Sequence, residues 1–230
     1  MHVLNGTPPI ALLVRRSPRA RRISLRVSRL DGRVTLTLPR GVSEREGMAF
    51  ARSREGWIRG HLADLPAPER ITEGSVIPVE GRDRRVVAGQ GAAVRLGDDE
   101  IAVPLHRAAP ERRLGAFLKG LARDRLSAAA DTYAARLGRG YSRLTLRDTR
   151  SRWGSCSARG ALSFSWRLIL APPDVLDYVA AHEVAHLAEM NHSARFWARV
   201  TEIHGPYDVQ RRWLRENGET LHRFRFDAPD

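Results

Sequence analysis

The stretch "AHEVAHLAEMNHSARFW", residues 181–197, decides how the rest of the chain is read. His182 and His186 are four residues apart, so on a helix they stack on one face and can converge on one ion from successive turns. Glu183 lies three residues from His186, within reach of a water bound to the same ion. Hydrolysis at zinc needs these parts: two neutral nitrogens hold the metal, the metal makes its water acidic, and a carboxylate takes the proton. The competing reading is an amphipathic helix in which Val175, Tyr178, Val179, Val184, Ala185 and Leu187 pack a core and the histidines are merely polar neighbours. Two histidines and a glutamate beside a buried face would make a poor core, because an unpaired buried carboxylate is costly.

A catalytic zinc takes a third protein ligand and keeps a fourth position open. Glu189 lies on the same face of a continuing helix, but at about 1.5 Å rise per residue it is about 10 Å along the axis from His182, too far to share the ion. His192 is the better candidate. If the helix breaks at Met190 and Asn191, the chain can turn back and present His192, and asparagine tolerates the left-handed conformation that ends helices. A helix running straight through to Trp197 would exclude this arrangement. His204 stands in reserve, whereas Cys156 as a fourth protein ligand would close the position that water needs.

Working outward, Pro172, Pro173 and Asp174 suit a first helical turn, so the helix carrying His182 should open at about 173. Before it, "SRLTLRD" (142–148) and "ALSFSWRLILA" (161–171) read as strands on either side of the loop "TRSRWGSCSARG" (149–160). Residues 110–137 place Leu114, Phe117, Leu118, Leu121, Leu126 and Leu137 at helical spacing and predict one long helix, despite Gly115 and Gly120, stopped by "GRG" at 138–140. The Gly- and Val-rich stretch 71–105 predicts several strands whose pairing the sequence does not specify. Ser43 and Glu46 form a capping-box pair that opens a helical stretch, with Met48, Phe50, Ile58 and Leu62 as its buried stripe and "LPAP" (65–68) as its end. In 21–39, Ile23, Leu25 and Val27 alternate with polar residues, "LDGR" (30–33) supplies an Asp-Gly turn, and "VTLTLP" alternates again. That is a β-hairpin with arginines on its solvent face. "VQRRWL" (209–214) reads as a C-terminal helix with Trp213 and Leu214 inward.

The fold class that follows is α+β, a single mixed domain or two lobes in close contact. The 230 residues can bury a core of their own, and no apolar run approaches the roughly 20 residues needed to span a membrane. One cysteine permits no intrachain disulfide, and with "IALLV" (10–14) too short for a signal segment the expectation is a cytoplasmic protein. The net charge of +13 keeps non-specific nucleic acid among the partners, although 38 of the 39 basic residues are arginine, a bias that codon usage alone can produce.

The order "RWGSC" (152–156), "DYVAAHEVAH" (177–186), "NHSARFW" (191–197) and "GPYDVQRRWL" (205–214) resembles the YgjP-like metallopeptidase domain, a group of bacterial zincins, and is similar at longer range to SprT-like and Wss-type proteases. The resemblance covers about 15–220 as a single domain, with a strand-rich lobe at 15–105 and a zincin-like catalytic lobe at 110–220, its active-site helix under a small mixed sheet. It implies His182, His186 and His192 as ligands of Zn2+ and Glu183 as general base. Metzincins share the spacing to the third histidine but carry glycine where this chain has Glu189, so the turn here must follow another path. The resemblance also implies that the strand in 161–170 forms a sheet edge above the metal, where an extended protein or peptide substrate could pair. "RWGSC" would then lie near the cleft, or else form a packed corner in which Trp153 fills space and Gly154 permits the turn. Tyr207 and Arg152 are candidate donors to an oxyanion, with a Pro-Tyr packing corner and a surface arginine as their plain alternatives. The alternative function is a basic nucleic-acid-associated protein whose zinc is structural or serves cleavage of DNA-bound proteins. A purely structural zinc site is a third reading.

Overall fold

The computed structural model describes residues 2–28, 32–64 and 69–226. The tip of the expected Asp-Gly turn and the "LPAP" segment lie outside the described residues. The fold is α+β, and the chain divides into two compact units, Met1–Ala67 and Pro68–Asp230. The division therefore falls at 67/68 and not between 105 and 110.

Unit 1 runs β1 (His2–Leu4), β2 (Ile10–Arg16), β3 (Ser24–Val27), β4 (Val34–Leu38), α1 (Glu44–Ser53) and α2 (Glu55–Ala63). The strand order is β1-β2-β4-β3, with β3 and β4 antiparallel as the hairpin pattern predicts and β2 parallel to β4. One sheet face packs Leu4, Ile10, Leu12, Val34, Leu36 and Leu38 into a core with Ala51 and Ile58. Both arms of the Ser43–Glu46 capping box are present. The helical stretch does not run unbroken, because Arg54 leaves helical geometry between α1 and α2. The buried stripe also differs from the expected one: Met48, Phe50 and Leu62 are half-buried, while Gly47 and Ala51 face the sheet. A Cβ at Gly47 would lie 2.5 Å from Leu38 Cδ2, so α1 approaches too closely for a larger residue there.

Unit 2 opens with β5 (Glu69–Arg70), β6 (Val76–Val79), β7 (Arg82–Ala88), β8 (Arg95–Leu96) and β9 (Glu100–Val103), then the long helix α3 (Pro110–Leu137). β6, β7, β9 and β8 form one sheet in that order. Its apolar face, with Ile77, Val79, Val86 and Ile101, shares a core with Leu114, Leu118 and Leu126 of α3, which is why these strands belong to unit 2. Gly138 ends α3 in the left-handed conformation. Gly115 lies close to the C-terminal segment: a Cβ there would be 3.0 Å from Phe226 Cβ, which would have to give by a few tenths of an ångström.

There follow β10 (Arg143–Arg147), β11 (Gly154–Cys156), β12 (Ala161–Ser165), a 3-10 turn over Trp166–Leu170, and α4 (Pro173–Ala185). After α4 come α5 (Ala194–His204), α6 (Asp208–Asn217), a second 3-10 turn over Gly218–His222, and β13 (Phe224–Arg225), which pairs with β5. The expected strand in 161–170 is half strand and half 3-10 turn. It is also not an edge: β12 is the middle strand, parallel to β10 and antiparallel to β11. The loop 149–160 doubles back to supply β11, and β11 takes the edge.

Arg167, nearly buried, ties the C-terminal segment to this sheet. Its Nε and Nη2 donate to the Asp148 carboxylate at 2.7 and 3.1 Å, and its Nη1 donates to the carbonyls of Leu221 and Phe224 at 3.1 and 3.0 Å. Among the described residues no helix is long and apolar enough to cross a membrane.

Candidate metal centre

Pro173 starts α4, and Val175, Val179, Ala180, Ala181 and Val184 bury it in the core of unit 2. This anchoring presents His182 and Glu183 on the last full turn. The helix ends at Ala185, six residues before Asn191. Asn191 is not the left-handed stop: its side chain accepts a hydrogen bond from the Ser193 backbone at 3.1 Å, and no positive φ occurs there. Instead the end tightens into turns, with Leu187 N–H donating to Val184 and the amides of Ala188 and Glu189 both donating to Ala185. Arg139 Nη1 satisfies the Leu187 carbonyl at 2.7 Å. Glu189 is therefore off the helix, and its carboxylate lies 3.4 Å from Arg195 Nε.

The chain then turns back and α5 begins after Ser193, whose hydroxyl accepts from the Phe196 backbone N–H. His182, His186 and His192 converge, their ligand atoms all within 4.8 Å of one another, with Nε2 of His182 and Nε2 of His192 3.0 Å apart. Two nitrogens each about 2.0–2.1 Å from a tetrahedral ion stand about 3.4 Å apart, so the spacing fits a shared ion. His186 Nδ1 lies 2.9 Å from the Glu189 carbonyl, which fixes Nδ1 as the donor and leaves Nε2 free to ligate. Phe196, fully buried, forms the floor, its ring stacked on His186 at 4.4 Å and edge-on to His182 and His192. The "NHSARFW" motif thus supplies a ligand, a helix cap and the surface on which all three rings rest.

Burial, then the neighbouring His186, His192 and Arg211, hold the His182 imidazole down to about 3. Burial likewise lowers His186, against the Glu189 carbonyl. Both shifts favour the neutral ring, the form that can ligate a cation. Glu183 is nearly buried, and burial pushes its carboxyl up to about 8 against the pull of Arg152. A carboxyl so held can exchange a proton near neutrality.

A cleft of about 380 Å³ opens over the three histidines and Glu183, walled by Arg152 to Cys156 and by Met190. Its wall is β11. Gly154 earns its place by close approach and not by a turn: a Cβ there would lie 2.5 Å from Glu183 Cγ and 2.6 Å from Oε1. The strand can lie against the carboxylate only without a side chain. Trp153 is packed between His222, at 5.3 Å between ring centres, and Gly218, where a Cβ would meet its ring at 2.9 Å. Cys156 lines the cleft as a half-buried thiol outside the three-ligand group, and burial with the Glu183 charge pushes it up to about 11.

Of the two oxyanion candidates, Arg152 lines the cleft, whereas the Tyr207 ring is stacked between Tyr178 at 5.7 Å and Trp197 at 5.2 Å and is not part of its wall. His204 stays with Tyr133 and Tyr178, apart from the three-histidine group. Sequence reasoning missed Gly154 as a contact residue, Phe196 as the floor, Arg139 as the cap and the stack of Tyr178, Tyr207 and Trp197. Only Phe196 had a signal, its place in the "NHSARFW" motif.

A sequence profile described as "YgjP-like, metallopeptidase domain" matches residues 21–217. Among solved structures, the chain is similar to the crystal structure of the metallopeptidase zymogen of Pyrococcus abyssi abylysin. The two are 17% identical with a TM-score of 0.36, covering 41% of this chain and 93% of that one. No curated protein matches. The profile spans most of the sequence, including every residue of the histidine cluster and the strand that walls it, and the chain belongs to the YgjP-like metallopeptidase domain family.

Proposed function

We propose that the protein is a zinc-dependent endopeptidase of the cytoplasm, with His182, His186 and His192 as ligands and Glu183 as general base. The observation that carries this reading is the convergence of three imidazoles beside one nearly buried carboxyl. A zinc ion held there would polarise a scissile carbonyl and acidify water. Glu183, pressed against Gly154, is oriented to take the proton and return it to the leaving amine. Arg152 is the donor proposed for the developing oxyanion, since it lines the same cleft.

The substrate proposed is a protein or peptide bound as an extended strand on β11. Trp153 O and Ser157 N–H bond to the β12 side, and Ser155 pairs with Ser163. By antiparallel alternation the backbone groups of Gly154 and Cys156 point away from β12, toward the open edge. Two such residues beside the base support main-chain recognition with little side-chain preference.

The test is hydrolysis of a denatured protein by the zinc-loaded enzyme and by Glu183→Gln at equal zinc occupancy. Removing a general base should cost about 10²–10⁴-fold in kcat with zinc affinity retained. Equal rates in the two proteins would refute the role of Glu183, and a zinc-loaded protein inactive under all conditions would refute the peptidase.

A further inference from the structure

We propose that unit 1 is a docking surface for double-helical nucleic acid, held by its phosphates through the arginines that line and rim the open face of its sheet. The charge of the chain is not evenly spread. Residues 1–42 hold nine arginines against one acid, Asp31, whereas the remaining 188 hold thirty basic against twenty-five acidic residues. A codon bias enriches arginine everywhere, and it does not remove acids from one segment. Eight of the thirteen net charges sit in less than a fifth of the sequence.

The fold gathers this charge. The β4 register sets Leu13 and Arg26 beside Thr35, and Arg15 and Ser24 beside Thr37, on the face opposite the core that α1 and α2 cover. Arg15 Nε donates to Thr37 Oγ1 at 3.0 Å and is held upon the sheet. The segment 17–23, joining β2 to β3 at the end of that sheet, adds Arg19, Arg21 and Arg22. All five side chains are exposed, and among the described residues none has a carboxylate within 4.0 Å. Unpaired guanidiniums of one sign fit a partner of one uniform charge, and their planar forks match phosphate oxygens.

Other occupants fit less well. The sequence has no aromatic residue before Phe50, so this face offers no platform for stacking unpaired bases and no aromatic anchor for a lipid surface. A protein partner displays both signs of charge, and a face complementary to it would carry acids among the arginines. The inference rests on unit 1 alone and stands apart from the metal centre.

The experiment measures binding of the full chain to a labelled duplex of about 20 base pairs by fluorescence anisotropy across salt concentrations. It compares the parent with a variant carrying glutamine at Arg15, Arg19, Arg21, Arg22 and Arg26, and with a control carrying glutamine at the exposed Arg95, Arg112, Arg123, Arg212 and Arg215. Each phosphate contact contributes about 0.9 to the slope of log affinity against log salt, so the unit 1 variant should lose up to about 4.5 from that slope and more than tenfold in affinity. The control, equal in net charge, should lose less than about threefold. The double variant at Arg21 and Arg22, outside every strand, should lose about two from the slope even if the larger set disturbs folding. Equal losses in variant and control, or no parent binding at low salt, overturn the proposal. So does tighter binding to a single strand, to poly-glutamate of equal charge or to anionic vesicles.

Discussion

Both units lay helices on one face of a small mixed sheet, yet they differ in what the rest of that sheet meets. In unit 1 the second face is open and carries arginine and threonine around an exposed Leu13. In unit 2 the edge strand β11 is pressed against the active-site helix so closely that Gly154 has no room for a methyl group. The first arrangement needs only local rules, alternation along a strand and a cap at a helix start. The second needs a loop to return across about thirty residues of chain and meet a carboxylate within van der Waals distance. A charged face can be built from one segment, whereas a carboxylate set beside three histidines under a strand demands tertiary closure.

If the units are as separate as their two cores indicate, damage to one should spare the chemistry of the other. Leu36 is fully buried at the centre of the unit 1 core. Leu36→Ala should destabilise that unit by about 2–5 kcal/mol, read in denaturant melts, while zinc affinity stays within twofold. A large loss of zinc binding would break the comparison. Within unit 2 the sharper probe is Gly154→Ala, whose methyl must displace Glu183. A shift of about 1 Å at a reacting group can cost 10²-fold in rate, so kcat should fall by about that factor with zinc content unchanged. Near-normal activity would show that the carboxylate need not stay where β11 holds it.

Arg167 should matter at a similar scale through stability. Arg167→Met strands the carbonyls of Leu221 and Phe224 and releases Asp148, costing about 2 kcal/mol at neutral pH. Burial tends to raise the Asp148 carboxyl, but the hydrogen bonds and charge of Arg167 outweigh it and hold the value below the usual 3.8. A folded value below the unfolded one contributes stability above the unfolded value, and that contribution is lost as pH falls through the folded value. The parent should therefore lose stability more steeply than Arg167→Met below about pH 4. Parallel acid limbs would remove the pair from the account. The smallest effect belongs to Ser43→Ala, which deletes the capping box of α1 and should cost about 1 kcal/mol in unit 1 with peptidase rate untouched.

What the sequence makes legible follows the same division. The antiparallel pairing of β3 and β4, the capping box, α3 with its glycine stop and the start of α4 are written in periodicity and local punctuation, and all appear as read. That His182 and His186 meet was legible from helical spacing, and that His192 joins them in a cluster able to hold a metal from the search for a third donor. The illegible parts depend on contacts distant in sequence. Nothing local in "ALSFSWRLIL" tells that β12 is central, because strand order is set by where the 149–160 loop returns. Nothing near Asn191 shows that α4 ends at Ala185, since the stop is secured by the His186–Glu189 contact and by Arg139 from the end of α3. Gly154 read as a turn residue because its reason lies in Glu183, twenty-nine residues on.

Three imidazoles and no sulfur are proposed to hold the ion, leaving a position for water next to Glu183. X-ray absorption at the zinc edge of the loaded protein tests it most directly. Three nitrogens and one further light atom are expected at about 2.0–2.1 Å, and a sulfur neighbour at about 2.3 Å, bringing Cys156 into the shell and closing the site, would contradict a three-histidine centre.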